Sequence, residues 1–159
     1  MSISTGSRVP NVKLTHMTSD GPAEVSSEEL FGGKTVVAFA LPGAFTPTCS
    51  ASHLPGFVAN ADKLKAKGVD EIVCLSVNDA FVMDAWGKAH NAEHIHMVAD
   101  GNADFAKAMG LELDLTSRGM GVRSQRYAMI VENGVVKALN VEDPGKFEKS
   151  SAETMLGLL

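Results

Sequence analysis

Two seven-residue runs, Thr35-Val-Val-Ala-Phe-Ala-Leu41 and Glu71-Ile-Val-Cys-Leu-Ser-Val77, are nearly devoid of polar side chains and are bounded by turn residues. They are too short for buried helices and lack the alternation of half-solvated strands. They therefore read as strands covered on both faces. Such strands need helices above and below them, which restricts the chain to an α/β architecture. The intervening segments agree. From Pro47 to about Lys67, residues Leu54, Phe57, Val58, Ala61 and Leu64 recur at helical spacing, with Pro55 expected to kink the helix and Gly68 to end it. Asn78-Asp79 offers an N-cap for a helix over Ala80–Ala89.

The remaining segments extend this pattern. His94–Ala99 reads as a third strand, with a short helix near Ala103–Met109 after it. Asn133-Gly134 joins two apolar runs, Arg126–Glu132 and Val135–Asn140, and is a strong hairpin signal. Ser150–Leu158 reads as a terminal helix, Val12–Thr15 as part of a strand and Ser26–Leu30 as a helical turn. With no repeat, linker or low-complexity block, residues 1–159 form one domain: a central mixed sheet flanked by helices, with an N-terminal extension. In such sheets ligands collect beyond the carboxyl ends of the parallel strands, where Pro42–Cys49 falls.

Fourteen basic residues against nineteen acidic ones leave a net charge of −5, and no Lys/Arg run is present. That argues against nucleic acid or an anionic membrane as partner. No apolar stretch is long enough for a membrane span, and the first eight residues lack a secretory pattern. Two cysteines, Cys49 and Cys74, do not make a disulfide scaffold and suit a reducing compartment, so a cytoplasmic location is expected.

The two cysteines differ in setting. In Pro42-Gly-Ala-Phe-Thr46-Pro47-Thr-Cys49, Thr46 reads as an N-cap and Pro47 as the first helical residue. Cys49 then lies in the first turn, where free N–H groups and the helix dipole favour a thiolate. The Thr46 hydroxyl is placed beside the sulfur, which makes Cys49 the reactive cysteine. Cys74, between Val73 and Leu75 in mid-strand, reads as an inert core thiol.

Pro42-x-x-x-Thr46-x-x-Cys49 resembles the signature around the peroxidatic cysteine of the peroxiredoxins. The longer run to Ser50, then His53-Leu-Pro-Gly-Phe57, Cys74–Asp79, Arg126–Ile130 and Val136–Val141, resembles the type II (peroxiredoxin five-like) subfamily over nearly the whole chain. The resemblance implies a thioredoxin-like fold and thiol-dependent reduction of hydroperoxides, with no metal or organic cofactor. It also implies roles. Cys49 is the nucleophile, Thr46 bonds both sulfur and peroxide, Pro42 shields the sulfenic acid and Arg126 sits beside the thiolate. Many animal members resolve the sulfenic acid with a cysteine near the C-terminus. The matching region here, Glu142–Ser151, has serines and no cysteine. An external reductant is therefore expected, either glutathione with glutaredoxin or thioredoxin. Two other readings of Cys49 stand beside this one. Cys49-x-x-Ser52 resembles a monothiol glutaredoxin, and the same chemistry serves a non-catalytic redox sensor.

Other residues carry smaller expectations. His94 and His96 fall on one strand face and are too few for a zinc site, so they read as an exposed polar face. His53, four residues after Cys49, reads as a structural hydrogen-bonding group on the same side. Gly119-Met-Gly121 reads as a turn. Phe45 and Phe81, both at the carboxyl end of the sheet, point to a homodimer packed through the active-site end.

Overall fold

The computed structural model describes residues 2–159. Seven strands form one mixed sheet in the order β2-β1-β5-β4-β3-β8-β9. Its centre is β3 (Thr35–Leu41), β4 (Glu71–Ser76) and β5 (His96–Ala99), all parallel. The hairpin β8 (Tyr127–Glu132) and β9 (Val135–Val141) adds antiparallel on one side. On the other side the N-terminal hairpin, β1 (Lys13–Thr18) with β2 (Gly21–Ser26), adds through β1. This extension is longer than the strand expected around Val12–Thr15.

Both faces of the centre are covered, as the apolar runs require. On one face Phe39, Cys74 and Ile130 pack under α2 (Leu54–Ala66), α3 (Ala80–Ala89) and α5 (Ala152–Leu158), where Trp86 and Met155 are also buried. On the other, Ala38, Val73 and Met129 pack with α1 (Ser27–Phe31) and α4 (Asp104–Ala108). Three helices begin on side-chain caps supplied by Ser26, Asp79 and Ser151. Helix α4 starts differently. The buried Asp100 carboxylate accepts the amides of Phe105 (3.0 Å) and Ala106 (2.9 Å) from outside the helix.

Three local expectations are corrected. Pro55 does not simply kink the long helix. Its missing N–H removes one backbone bond, and the chain answers with a π-turn over Cys49–His53, closed by the Leu54 amide on the Cys49 carbonyl. The third strand begins at His96, not His94, because the Ile95 amide bonds the Ala92 carbonyl in a turn. His94 is exposed in that turn, so the two histidines do not share a strand face. Finally, a separate two-stranded ribbon, β6 (Glu112–Leu115) with β7 (Gly121–Ser124), was not anticipated. Gly119 and Gly121, at φ +73° and +68°, make its turn.

Candidate active site

The chain leaves β3 at Leu41 and reaches Cys49 through a tight loop, Pro42–Thr48. Phe45 in that loop is held at φ +64°, a left-handed conformation that costs a non-glycine residue about 1–2 kcal/mol. The loop is held from two sides. The Ala44 amide donates to Asn78 Oδ1 (3.0 Å), which also accepts from Ser76 Oγ (2.6 Å). The Arg123 guanidinium donates to the carbonyls of Pro42 (3.4 Å), Val77 (3.1 Å) and Met120 (2.9 Å). Gly43 lets it approach, since a Cβ there would lie 3.0 Å from Arg123 Nη1.

Thr46 departs from the expected cap. Its hydroxyl donates to the Gly43 carbonyl (2.6 Å), while its own carbonyl accepts the Ser50 amide (2.9 Å) that starts the helix. With the hydroxyl proton committed to Gly43, the oxygen lone pairs remain free to accept. The hydroxyl therefore does not donate to Cys49.

Cys49 is fully buried, and Arg126 Nη2 lies 3.1 Å from its Sγ. Arg126 comes from the strand paired beside β3, one residue before β8, with its carbonyl bonded by the Glu142 amide (2.9 Å). Its second arm, Nη1, lies 2.8 Å from His53 Nδ1. His53 Nε2 in turn lies 2.9 Å from the Ser150 carbonyl. The rings of Phe39, Phe57 and Phe147 surround the imidazole at 5.0, 5.7 and 5.0 Å between centroids. Burial and the Arg126 charge push the His53 pKa down to about 3, against a smaller opposing pull from Ser150 and Glu142.

The sequence brought Cys49, Thr46, Arg126, Pro42 and His53 into question, and the fold brings all five to one place. It missed the support around them: Asn78, Arg123 and above all Glu142. The buried Glu142 carboxylate accepts the amides of Glu148, Lys149 and Ser150 and the Ser150 hydroxyl, at 2.7–3.0 Å. Burial raises its pKa, but these bonds outweigh it and leave the carboxyl below its ordinary value. No local spacing signals such contacts, because the partners sit in a loop with no regular period.

Pro42, Thr46, Pro47, Arg126 and the Asp143–Lys146 loop line a cleft of about 620 Å³, with Leu113, Leu115 and Met120 of the ribbon region as its apolar wall. A larger cleft, about 750 Å³, lies at the opposite end of the sheet around Glu71, Lys88 and His96 and has no cysteine in its lining.

Cys74 is also fully buried, and it shares the core cluster of Cys49. Burial, with a smaller contribution from Cys49, pushes its pKa well above the ordinary thiol value. That agrees with an inert thiol.

A buried thiol at the carboxyl end of a parallel sheet, touched by an arginine that itself lines a cleft, defines a thioredoxin-like thiol-redox protein. Comparison with known proteins gives the family. The Redoxin family matches residues 4–156. Peroxiredoxin-2D of Arabidopsis thaliana is 46% identical over 159 residues, covering 99% of this chain and 98% of the relative. Hybrid peroxiredoxin hyPrx5 of Haemophilus influenzae is 46% identical over 162 residues, covering 100% of this chain and 67% of the relative. The crystal structure of reduced Prx3 from Vibrio vulnificus in complex with H2O2 is 59% identical with a TM-score of 0.95, covering 98% of both chains. The chain belongs to the peroxiredoxins and is a thiol-dependent peroxidase. Of the three readings of Cys49, the first is the family's.

Proposed function

We propose that Cys49 is the peroxidatic nucleophile, with Arg126, Thr46 and Pro42 as its immediate support and an external thiol as reductant. The observation that carries this is the 3.1 Å contact from Arg126 Nη2 to Cys49 Sγ. The Cys49 thiolate attacks one oxygen of the hydroperoxide, the O–O bond breaks, and the departing alkoxide takes a proton. The products are an alcohol, or water from hydrogen peroxide, and Cys49 sulfenic acid. Arg126 is cationic at any working pH, so it faces both the starting thiolate and the charge that develops on the leaving oxygen. Thr46, already donating to Gly43, offers its lone pairs to the peroxide O–H and orients it. Pro42 covers the cleft side of the site and keeps water from the sulfenic acid.

An outside thiol then attacks the sulfenic sulfur and releases water. A second thiol breaks the mixed disulfide and restores Cys49. Glutathione with glutaredoxin, or thioredoxin, supplies these thiols in a cytoplasmic setting. Support for an outside reductant comes from the burial of Cys74 and from the lack of any other cysteine. Steady-state consumption of hydrogen peroxide, measured with glutathione plus glutaredoxin and separately with thioredoxin plus its reductase, tests the proposal. Turnover with either system supports it. Turnover that survives Cys49→Ser refutes it.

A further inference from the structure

We propose that His53 is the positioning residue of Arg126, a neutral imidazole whose Nδ1 lone pair holds one arm of the guanidinium and so aims the other at Cys49. The inference rests on the proposed role of Arg126 and goes beyond it. Two partners decide the form of the ring. The Ser150 carbonyl, 2.9 Å from Nε2, can only accept, so Nε2 carries the proton. The guanidinium, 2.8 Å from Nδ1, can only donate, so Nδ1 must be bare. A protonated imidazole would set two cations face to face and remove the acceptor. A flipped or oppositely protonated ring would lose both bonds.

The surroundings enforce that choice. The charged or titratable groups around the ring are Arg126 beside β8, Cys49 in its own π-turn, and Glu142 behind Ser150. The rest is aromatic: Phe39 from β3, Phe57 from α2 and Phe147 from the loop after β9. Burial beside a cation keeps the ring neutral across the physiological range. Glu142 fixes Ser150 through its amide (2.8 Å) and hydroxyl (2.7 Å) and thereby fixes the carbonyl that selects the tautomer. The chain of contacts therefore runs Glu142, Ser150, His53, Arg126, Cys49, and it couples the loop that walls the cleft to the reactive sulfur. The π-turn contributes too. A turn closed by i→i+5 bonds takes more than four residues, which brings His53 nearly into line above Cys49.

Two measurements on the full-length protein test this. A long-range proton–nitrogen spectrum of the wild-type protein, ring-labelled at histidine, should show His53 with Nε2 protonated and Nδ1 bare from pH 5 to pH 8. A protonated Nδ1 or a cationic ring in that range overturns the inference, and this holds even if a variant fails to fold. Stopped-flow oxidation of Cys49 by hydrogen peroxide is the second. His53→Phe should slow it by roughly ten- to a hundredfold, the worth of one hydrogen bond to a charged group. His53→Gln, whose amide offers an oxygen to Arg126 and an N–H to Ser150, should recover most of the rate. In an Arg126→Met background, His53→Phe should cost almost nothing more, because its effect passes through the missing guanidinium. Equal losses in both backgrounds would show a merely structural role and overturn the proposal. A wild-type protein whose Cys49 does not react with peroxide would instead overturn the proposed function, and the ring spectrum would then decide the state of His53 alone.

Discussion

At the scale of single residues, the chemistry divides between what Cys49 does and what holds it. Replacing Cys49 by Ser should abolish peroxide consumption, whereas Cys74→Ser should leave most of it, since Cys74 is a fully buried thiol with its pKa raised. A coupled peroxide assay on both variants checks this. Arg126→Met and Thr46→Val each remove a fixed polar group at a centre where charge develops. Each should slow Cys49 oxidation by about 100- to 1,000-fold in a stopped-flow measurement. The two should differ in kind. Arg126 touches the sulfur, while the Thr46 hydroxyl is turned to Gly43 and meets only the incoming peroxide. Thiol alkylation by a reagent without a peroxide group should therefore be impaired in Arg126→Met and nearly normal in Thr46→Val.

Among the elements, the π-turn over Cys49–His53 has a cause that can be traced to one residue. Pro55 cannot donate to the carbonyl four residues earlier, and the helix widens there instead of breaking. Pro55→Ala restores the donor and the ordinary helical period. It should leave thermal stability unchanged or higher, because the helix regains a bond, yet slow peroxide reduction by up to about a hundredfold, because Cys49 and His53 lose their alignment. A melting curve and a rate constant on the same sample check both halves.

A second polar element crosses the sheet far from the cysteine. Lys34 Nζ bonds Glu71 (2.7 Å), Glu71 bonds His96, and His96 bonds His16 (2.7 Å), joining the start of β3 to β4, β5 and β1. The hydrogen bond from His96, outweighing burial and aided by Lys34, holds the Glu71 pKa down to about 2. Burial and the His96 charge lower that of His16. His96, expected to be an exposed face residue, is a half-buried link in this row.

For the whole molecule, the same ionisations predict acid sensitivity. His53 titrates at 6.5 when unfolded and about 3 when folded. Below pH 6.5 the unfolded chain binds a proton that the folded chain refuses, so stability falls continuously as pH drops from 6.5 to 3. Glu71, lowered from 4.5 to about 2, adds a further loss between those values, because its favourable charged form must be protonated. Thermal melting from pH 7 to pH 3 should show a steady fall that starts near pH 6.5, and His53→Phe should make the upper part of that fall shallower, leaving the share that His16 contributes.

Association is the other property of this scale. Phe45 and Phe81 are 56% and 65% exposed at the active-site end, and Phe45 is strained into that position. Both facts favour a homodimer through this end, the arrangement we propose for the working enzyme. Sedimentation at micromolar concentration should give a dimer, and Phe45→Ala with Phe81→Ala should shift it toward monomer. A wild-type species that is strictly monomeric and fully active would rule the dimer out as functional.

What the sequence by itself determined is whatever depends on residue type and short spacing. The two apolar runs became β3 and β4 buried on both faces, Asn133-Gly134 became the β8–β9 turn, and Asp79 became a cap. Pro42-x-x-x-Thr46-x-x-Cys49 singled out Cys49 as the thiol we propose to be reactive, because a loop entering a helix is encoded locally. Tertiary structure alone decided what the neighbours of that thiol are. Arg126 lies 77 residues from Cys49 and His53 lies 97 from Ser150, yet each pair meets within hydrogen-bond distance. The tautomer of His53, the direction of the Thr46 hydroxyl and the state of Glu142 follow from such meetings. Hydrogen bonds and burial act through space, and a residue's position in the chain does not state which groups the packed sheet and helices will set against it.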